Sequence, residues 1–380
     1  MSRSGSYRQN HFGKISYLSF FPNPLPPFPP IQIDDELNLL LMEAHLVIGR
    51  LDGISKLLPN QDLFLSLYVR KEALLSSQIE GTMATLEDIF DPHLLHAKKN
   101  DVEDVSNVVR AVHMANELRK SLPLSLRFFR EIHGILLHNV RGFEKQPGNF
   151  RTTQNWIGPP GSIIKNAEFI PPNVGDMNEA LSKLEEYIHT QDVTNRFVKI
   201  ALIHYQFETI HPFLDGNGRV GRMLIGLLMK EYHLLHEDTF YLSYYLKRNR
   251  QEYYDRLMEV RTKGLYEEWV RFFVKGIIET AYHALDTIDS LLDLHAQNEA
   301  KVAALDGKFR VTSMLLFEYI EHHPIFDISM ASQELSKSFG AISKAVQYFE
   351  TCGILKQIKG NERYRVYIYD AYLTILRDGT

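Results

Sequence analysis

Helical periodicity runs through this chain from Ile33 to Ala296 and gives way in one stretch of a different kind, Gln146–Asn173. A pattern of that length leaves little room for anything but a mainly α fold. Leu63, Leu67, Leu74 and Ile79 recur at roughly helical spacing, and Gly81 stops the run. Thr85-x-x-Asp88 then resembles a helix start. Asp101–Leu122 and Leu126–Leu137 read as helices parted by Pro123, followed by Val174–His189, Asn195–Ile210, Val220–Tyr232, Leu242–Lys263 and Tyr266–Ala296. In the run Asn195–Ile210, Phe197, Ile200, Ala201, His204 and Phe207 share a face, and His211 follows one turn beyond Phe207.

The interrupting stretch holds Pro147-Gly148, Gly158-Pro-Pro-Gly161 and Pro171-Pro172, with short extended runs at Phe150–Ile157 and Ser162–Ile164. Such punctuation predicts a hairpin or flap. Phe20–Pro30 carries six prolines in eleven residues, which predicts an extended arm. Past Gly307 the pattern shortens. Val311–His322, Ser329–Leu335 and Ala341–Cys352 read as helices, with a turn around Gly340. Lys356–Ile358 and Tyr364–Tyr369 read as strands about the turn Lys359-Gly-Asn. Three helices and a two-stranded wing predict a winged helix-turn-helix. The expected division is a proline-rich arm at 1–32, an N-terminal helical region at 33–100, a core at 101–280, a linker helix at 281–306 and the winged-helix module at 307–380.

With 380 residues the chain can bury a sizeable core. A net charge of −5 argues against a molecule-wide basic surface for nucleic acid or membrane. The single cysteine, Cys352, excludes an internal disulfide framework and a cysteine-rich zinc site. A polar start and the lack of an apolar run near ~20 residues predict a cytoplasmic protein without a membrane span.

The chemistry gathers in His211-Pro-Phe-Leu-Asp-Gly-Asn-Gly-Arg-Val-Gly-Arg222. Gly216 and Gly218 flank Asn217 and permit a turn that aims successive N–H groups at one point. A helix beginning there would add the positive end of its dipole. Arg219 and Arg222, three apart, share a face and can grip phosphate oxygens. Asp215 can hold Mg²⁺ against phosphates, and His211 is the candidate general base. Each element alone has an ordinary structural explanation, a turn, a helix end or a solvated face; their coincidence in twelve residues points to a polyphosphate site.

This stretch resembles the signature of the Fic family, His-Pro-Phe-x-Asp/Glu-Gly-Asn-Gly-Arg-x-x-Arg, at every fixed position. The likeness extends over roughly Ile33–Ala296, through Pro147-Gly148-Asn-Phe-Arg151 and Arg248-Asn-Arg-Gln-Glu-Tyr253-Tyr254. It implies a Fic-type helical core and AMP transfer from ATP to a protein hydroxyl, with pyrophosphate leaving. His211 would be the base and Asp215 would place Mg²⁺. Gly216, Asn217 and Gly218 would hold the α-phosphate, with Val220 and Gly221 in the same nucleotide-binding turn. Arg219 and Arg222 would take the outer phosphates. Gly216 favours AMP transfer, since some relatives with lysine there transfer phosphate. The flap, 146–173, would pair as a strand with the target protein. Asn155, Trp156, Ile157 and Gly158 would lie beside the nucleotide, with Trp156 packing on it or anchoring the hairpin. Tyr253 would border the adenine. Some relatives place an asparagine near the adenine, eight residues after that tyrosine; here the residue is Arg261.

Glu80 stands awkwardly, a carboxylate at the negative end of a helical run. Water or a surface lysine would satisfy it. However, Ser76-Ser-Gln-Ile-Glu80-Gly81 resembles the family's inhibitory motif, Ser/Thr-x-x-x-Glu-Gly/Asn. The resemblance implies that Glu80 pairs with Arg222, weakens the grip on the γ-phosphate and is steadied by Ser76. It also leaves room for a homodimer, since relatives often dimerise.

From Lys308 onward nine Lys/Arg stand against eight Asp/Glu, a balance that weakens DNA binding through 307–380. The expectation is therefore an autoinhibited, ATP- and Mg²⁺-dependent protein adenylyltransferase. The alternatives are a DNA-binding regulator with a nucleotide-sensing core, and an enzyme that removes AMP at the same site.

Overall fold

The computed structural model describes residues 3–13, 15–56, 61–91, 99–138, 145–159, 161–359 and 365–379. It opens on a β-hairpin, β1 (Gly5–Phe12) and β2 (Ile15–Pro22), registered Gly5↔Pro22 through Phe12↔Ile15. This corrects the expected arm. Proline cannot donate to a ladder, but the residues before Pro22 can, and only the chain from Asn23 onward lacks regular structure. Phe20 is 1% exposed, and its N–H donates to Ile170 O of the flap at 2.9 Å.

The helices α1 (Asp35–Ser55), α2 (Gln61–Ile79), α3 (Leu86–Phe90), α4 (Lys99–Leu118) and α5 (Leu126–Leu136) follow. Their starts are chemically marked. The Asp34 carboxylate accepts from Leu37 N–H, and the Ser125 hydroxyl from Phe128 N–H. Thr85 and Asp88 form the reciprocal capping box foreseen at α3. The side chain of Leu63 lies outside the described residues.

The flap, with one antiparallel bridge between Ile157 and Phe169, leads into α6 (Val174–His189) and α7 (Arg196–Ile210). Pro160, part of the expected flap turn, lies outside the described residues. Every residue of α7 from Phe197 to Ile210 is buried, so it is the central rod of the core. Pro212 ends it by denying a donor to the next turn. Next come α8 (Asn217–Glu231), α9 (Ser243–Arg248), α10 (Arg250–Lys263) and α11 (Tyr266–Ala303). Two expectations shift here. α8 starts three residues earlier than Val220, because the glycine turn is itself its N-terminus. The single helix expected over 242–263 breaks at Asn249, where φ −109 and ψ 34 leave helical geometry.

α11 spans 38 residues, about 57 Å, and packs on α1, α7, α9 and α10. It continues through the expected linker to meet α12 (Gly307–His322). Then come β3 (Ile325–Asp327), α13 (Ile328–Glu334), α14 (Phe339–Thr351), β4 (Lys356–Lys359), β5 (Val366–Ile368) and α15 (Asp370–Arg377). The sheet order is β3-β5-β4, antiparallel throughout. Two elements were not foreseen. β3 is only three residues long, and α15 turns the chain back onto α3 and α11. Arg377 reaches Glu87 at 2.5 Å and Asp378 reaches His283 at 3.0 Å. The tip of the expected wing, including Gly360, Asn361, Arg363 and Tyr364, lies outside the described residues. Among the described residues no helix is long and apolar enough to cross a membrane.

Phe20 ties the hairpin to the flap by ring and backbone together. Phe20→Ala is expected to lower stability by about 3 kcal/mol and to speed amide exchange at Ile157 and Phe169. Denaturant titration and hydrogen-exchange mass spectrometry measure both.

Candidate active site

The site is built where α7 ends and α8 begins. His211 caps α7 in a left-handed conformation, φ 49, with its N–H on Phe207 O at 3.0 Å. The next residues are held from several sides. Asn217 Oδ1 accepts from Phe213 N–H at 2.8 Å, and its Nδ2 donates to Phe213 O at 2.9 Å. Asn155 Nδ2 donates to Phe213 O at 2.9 Å and to His211 O at 3.2 Å. Arg151 Nε donates to His211 O at 3.0 Å, and its NH2 to Pro172 O at 2.5 Å, so one buried guanidinium joins the flap to this turn. His133, which the sequence pattern did not single out, supports it from below. Its Nδ1 accepts from Gly148 N–H at 2.9 Å, leaving Nε2 to donate to Asp215 O at 3.0 Å, and its ring stacks on Phe213 at 3.7 Å. A lone histidine on an apolar helix face gives no sequence signal for that role.

Gly216, with φ 77, is the N-cap of α8. The first-turn N–H groups of α8 have no intrahelical acceptor, so this end invites an anion. The anion already there is Glu80. A Cβ on Gly218 would collide with Glu80 Oε1 and lie 2.8 Å from an Arg222 terminal nitrogen, so the carboxylate rests directly on the glycine turn. Glu80 Oε1 accepts from Arg222 NH2 at 2.7 Å. Ser76 differs from expectation. Its hydroxyl accepts from Arg222 Nε at 2.9 Å and its carbonyl from Arg222 NH2 at 2.8 Å. It therefore holds the arginine rather than Glu80, because Arg222 is buried and needs acceptors for its whole fork.

Burial pushes the Glu80 carboxyl up, but Arg222 outweighs it, with help from Arg219 and His211, and holds it below the usual carboxylate range. Two further carboxyls face the same arginine. Burial raises Glu208 to about 7, with Arg222 pulling it down and Glu80 pushing it up. Burial raises Glu72 to about 8, against the Ser243 hydroxyl and Arg222. Behind Arg222, His204 donates through Nδ1 to Gly221 O at 3.0 Å and accepts at Nε2 from the Tyr253 hydroxyl at 2.9 Å. Val220 and Gly221 are buried in the same turn of α8.

Arg219 faces Asp215 at 3.7 Å and Asp104 at 3.9 Å. A cavity of about 190 Å³ opens beside them, lined by Glu80, Gly81, Thr82, Asp101, Asp104, Asp215 and Arg219. A larger cavity, about 560 Å³, lies at the N-terminal end of α7, a helix length from His211, and is lined by residues such as His189, Lys199 and Tyr232.

The remaining expected contacts divide. Trp156 Nε1 donates to Ser162 O at 3.0 Å, which anchors the flap on itself. Ile157 N–H donates to Phe169 O at 2.8 Å, and Gly158 lies against Ser162. Tyr253 is 1% exposed and packs among His204, Tyr254 and Trp269, within the core rather than on an open wall. Arg261 is buried too. Its guanidinium lies 3.9 Å from the Phe169 ring centre, and its Nε donates to Thr209 Oγ1 at 3.1 Å.

Burial holds the His211 imidazole down to about 4, with Arg261 and Arg151 pressing the same way. Neutral imidazole is the form a base requires.

Comparisons with known proteins fall on the same region. Residues 38–117 match the Fic/DOC family N-terminal model and residues 123–229 the Fic/DOC family model. The protein adenylyltransferase Fic of Culex quinquefasciatus is 31% identical over 198 residues, 52% of this chain and 35% of that protein. Its namesake in Aedes aegypti is 29% identical over 198 residues, with the same shares. The matched stretch thus spans about a third of these relatives' own length. Among solved structures, a Fic family protein from Desulfovibrio desulfuricans G20 aligns over 90% of this chain and 97% of its own, with TM-score 0.58 and 17% identity. A Fic domain containing signaling protein from Bacteroides thetaiotaomicron aligns over 66% and 95%, with TM-score 0.51 and 17% identity. These two are likenesses of fold.

A histidine held at about 4 when folded and near 6.5 when unfolded contributes stability above pH 6.5 and loses it as pH falls through 4. The stability gap between wild type and His211→Gln is therefore expected to narrow on acidification across that window. Urea titrations at a series of pH values test this; a gap that widens would contradict it.

Proposed function

The chain belongs to the Fic/DOC family, and from that premise we propose that it is an autoinhibited protein adenylyltransferase. It moves AMP from ATP to a Ser, Thr or Tyr hydroxyl of a target protein or of itself and releases pyrophosphate. The observation that carries this reading is Glu80, seated on the glycine turn and paired with Arg222 at 2.7 Å, where a phosphate chain would lie.

In the reaction the acceptor hydroxyl oxygen bonds to the α-phosphorus, and its proton passes to His211. The bond from the α-phosphorus to the bridging oxygen breaks, and pyrophosphate leaves with the electron pair. Half-buried and held neutral by its surroundings, His211 is ready to take that proton. The N-terminus of α8 supplies N–H donors for the α-phosphate. Arg219 and Arg222 supply the charge that gathers the outer phosphates. The flap, 146–173, presents the acceptor by backbone pairing.

Asp215 fits a magnesium ligand in donor chemistry. Its carboxylate is 42% exposed at the mouth of the cavity, and one carboxylate with phosphate oxygens is the usual Mg²⁺ set. Bound there, the cation would neutralise phosphate charge. Use of ATP and the single cysteine suit a reducing, cytoplasmic setting.

Inhibition follows from competition. The Glu80 carboxylate and a phosphate chain want the same donors, and Arg222 cannot serve both. Wild type, Glu80→Gly and His211→Ala are each incubated with lysate and ATP labelled at the α- or the γ-phosphate. Glu80→Gly is expected to raise α-label transfer about a hundredfold, with an AMP mass on hydroxyl side chains. His211→Ala is expected to abolish transfer while leaving nucleotide binding largely intact. Equal labelling by wild type and Glu80→Gly would sink autoinhibition; γ-label transfer would sink adenylylation. Loss of AMP from a modified target with wild type alone would assign the site to removal instead.

A further inference from the structure

The turn that carries Glu80 is not held by Arg222 alone. Gly81 N–H donates to Gln78 O at 3.0 Å and Thr82 N–H to Ser77 O at 3.1 Å, so the chain folds back directly after α2. The Gln78 side chain closes this turn, its Nε2 donating to Ala84 O at 2.9 Å. From outside, Met83 N–H donates to Asp101 Oδ2 at 3.0 Å. Lys247 Nζ, on α9, donates to Gln78 Oε1 at 2.7 Å and lies 3.5 Å from Gly379 O. One ammonium thus joins the turn to the residues that follow α15. Further contacts come from the same place. Arg377 Nε donates to Glu87 Oε1 at 2.6 Å, in the first turn of α3. Asp378 Oδ2 lies 3.0 Å from His283 Nε2, and the His283 ring stacks on Tyr244 at 4.0 Å. Gly379, with φ 82, lies flat on that tyrosine, where a Cβ would fall 2.3 Å from Cε2. Only glycine fits there. On α2 itself, the Lys71 ammonium is buried, lies 6.0 Å from the Tyr244 ring centre and has no hydrogen-bond partner among the described residues. Burial lowers it to about 8, and Asp378 is the charge that pulls it back up.

We propose that Arg377, Asp378 and Gly379 form a latch that keeps the turn carrying Glu80 in its seat on Arg222, and that the turn loosens when the latch lifts. The inference rests on the reading of Glu80 as the brake on transfer. Gly81, Met83 and Thr85 are exposed, so the turn has little core of its own. A short exposed turn opens easily unless both flanks are fixed. Its entry flank is Gln78, which Lys247 holds beside Gly379. Its exit flank is α3, five residues long and too short to stand alone. α3 leans on α4, β3 and α15, the last through Arg377 and Glu87. Both flanks therefore depend on the same few residues. Each contact is close to solvent and weak by itself. They act together because they share one firm base, α15, which buries Tyr372, Leu373 and Leu376. Only Tyr369 separates α15 from β5, so the latch is tied to the C-terminal sheet as closely as to the core.

The test uses the full chain as wild type, Arg377→Glu and Gly379→Val, each also in a Glu80→Gly background. Neither substitution touches the core or the site. Hydrogen-exchange mass spectrometry follows the amides of residues 80–84, and labelled ATP follows transfer. Both variants are expected to exchange about fivefold faster over 80–84. Transfer of the α-label should rise about fivefold in both, and should gain nothing further in the Glu80→Gly background, where the brake is already gone. Exchange over 80–84 equal to wild type in both variants overturns the latch, whether or not residues 370–379 exchange faster. If Glu80→Gly labels strongly while the two variants label no faster than wild type, the latch does not govern the brake and the proposal falls. A gain that persists in the Glu80→Gly background also overturns it, since the effect then lies elsewhere. Should Glu80→Gly itself fail to label, the reading of Glu80 as a brake fails instead, and the exchange rates alone decide whether the latch holds the turn.

Discussion

A buried guanidinium cannot be left half satisfied, and Arg222 sets the terms for much of this molecule. It is 4% exposed, and it donates three hydrogen bonds to one helix, α2, and the turn after it: to the Ser76 hydroxyl, the Ser76 carbonyl and the Glu80 carboxylate. Three carboxyls surround it, but they are not equivalent. Burial pushes Glu72 and Glu208 to about 8 and about 7, whereas Glu80 is held below its ordinary range. Glu80 is thus the one reliably ionised, and with a side chain 38% exposed it is the one that can leave. Whatever displaces it must bring negative charge of its own, or Arg222 stands uncompensated in a poorly solvated place. The same contact therefore selects for an anion in its place.

Because the contact comes from α2, its strength depends on how α2 is held. The helix packs on α4, α8, α9 and α12, which come from the core and from the C-terminal elements alike. α15 then closes on α3, just past Glu80, through Arg377 and Glu87. The C-terminal elements are thereby structural neighbours of the turn that carries Glu80, a link that neither charge balance nor helix periodicity announced.

What the sequence disclosed divides along the range of the interactions. Local rules were legible. Gly81 stopped α2, Thr85 and Asp88 made a capping box, and the glycine turn at 216–218 opened a helix. The pairing of Glu80 with Arg222, 142 positions apart, came from resemblance rather than from periodicity. Contacts that depend on which surfaces meet stayed hidden. The hairpin at 5–22, paired along its whole length, meets the flap through Phe20 N–H on Ile170 O. β3 needs β5 to exist, and His133 matters because Phe213 and Gly148 arrive beside it. Ser76 was placed in the right cluster but given the wrong partner, since motif spacing does not say which of two neighbours a hydroxyl serves.

Two cations sit where α7 ends, and they bind the flap and His211 to one frame. Arg151 spans from His211 O to Thr153 O and Pro172 O, the two ends of the flap. Arg261, standing where some relatives have asparagine, lies between Thr209 on α7 and the Phe169 ring in the flap. Both are placed at the negative end of the α7 dipole, where a buried cation is least costly. Both also rank, after burial, among the influences that keep the His211 imidazole neutral. Position and proton affinity are therefore not independent here. The charges that fix how far the flap stands from His211 also keep that histidine free to accept a proton. A flap that moved away with either arginine would lose its tie to the end of α7 and ease protonation of His211 at once.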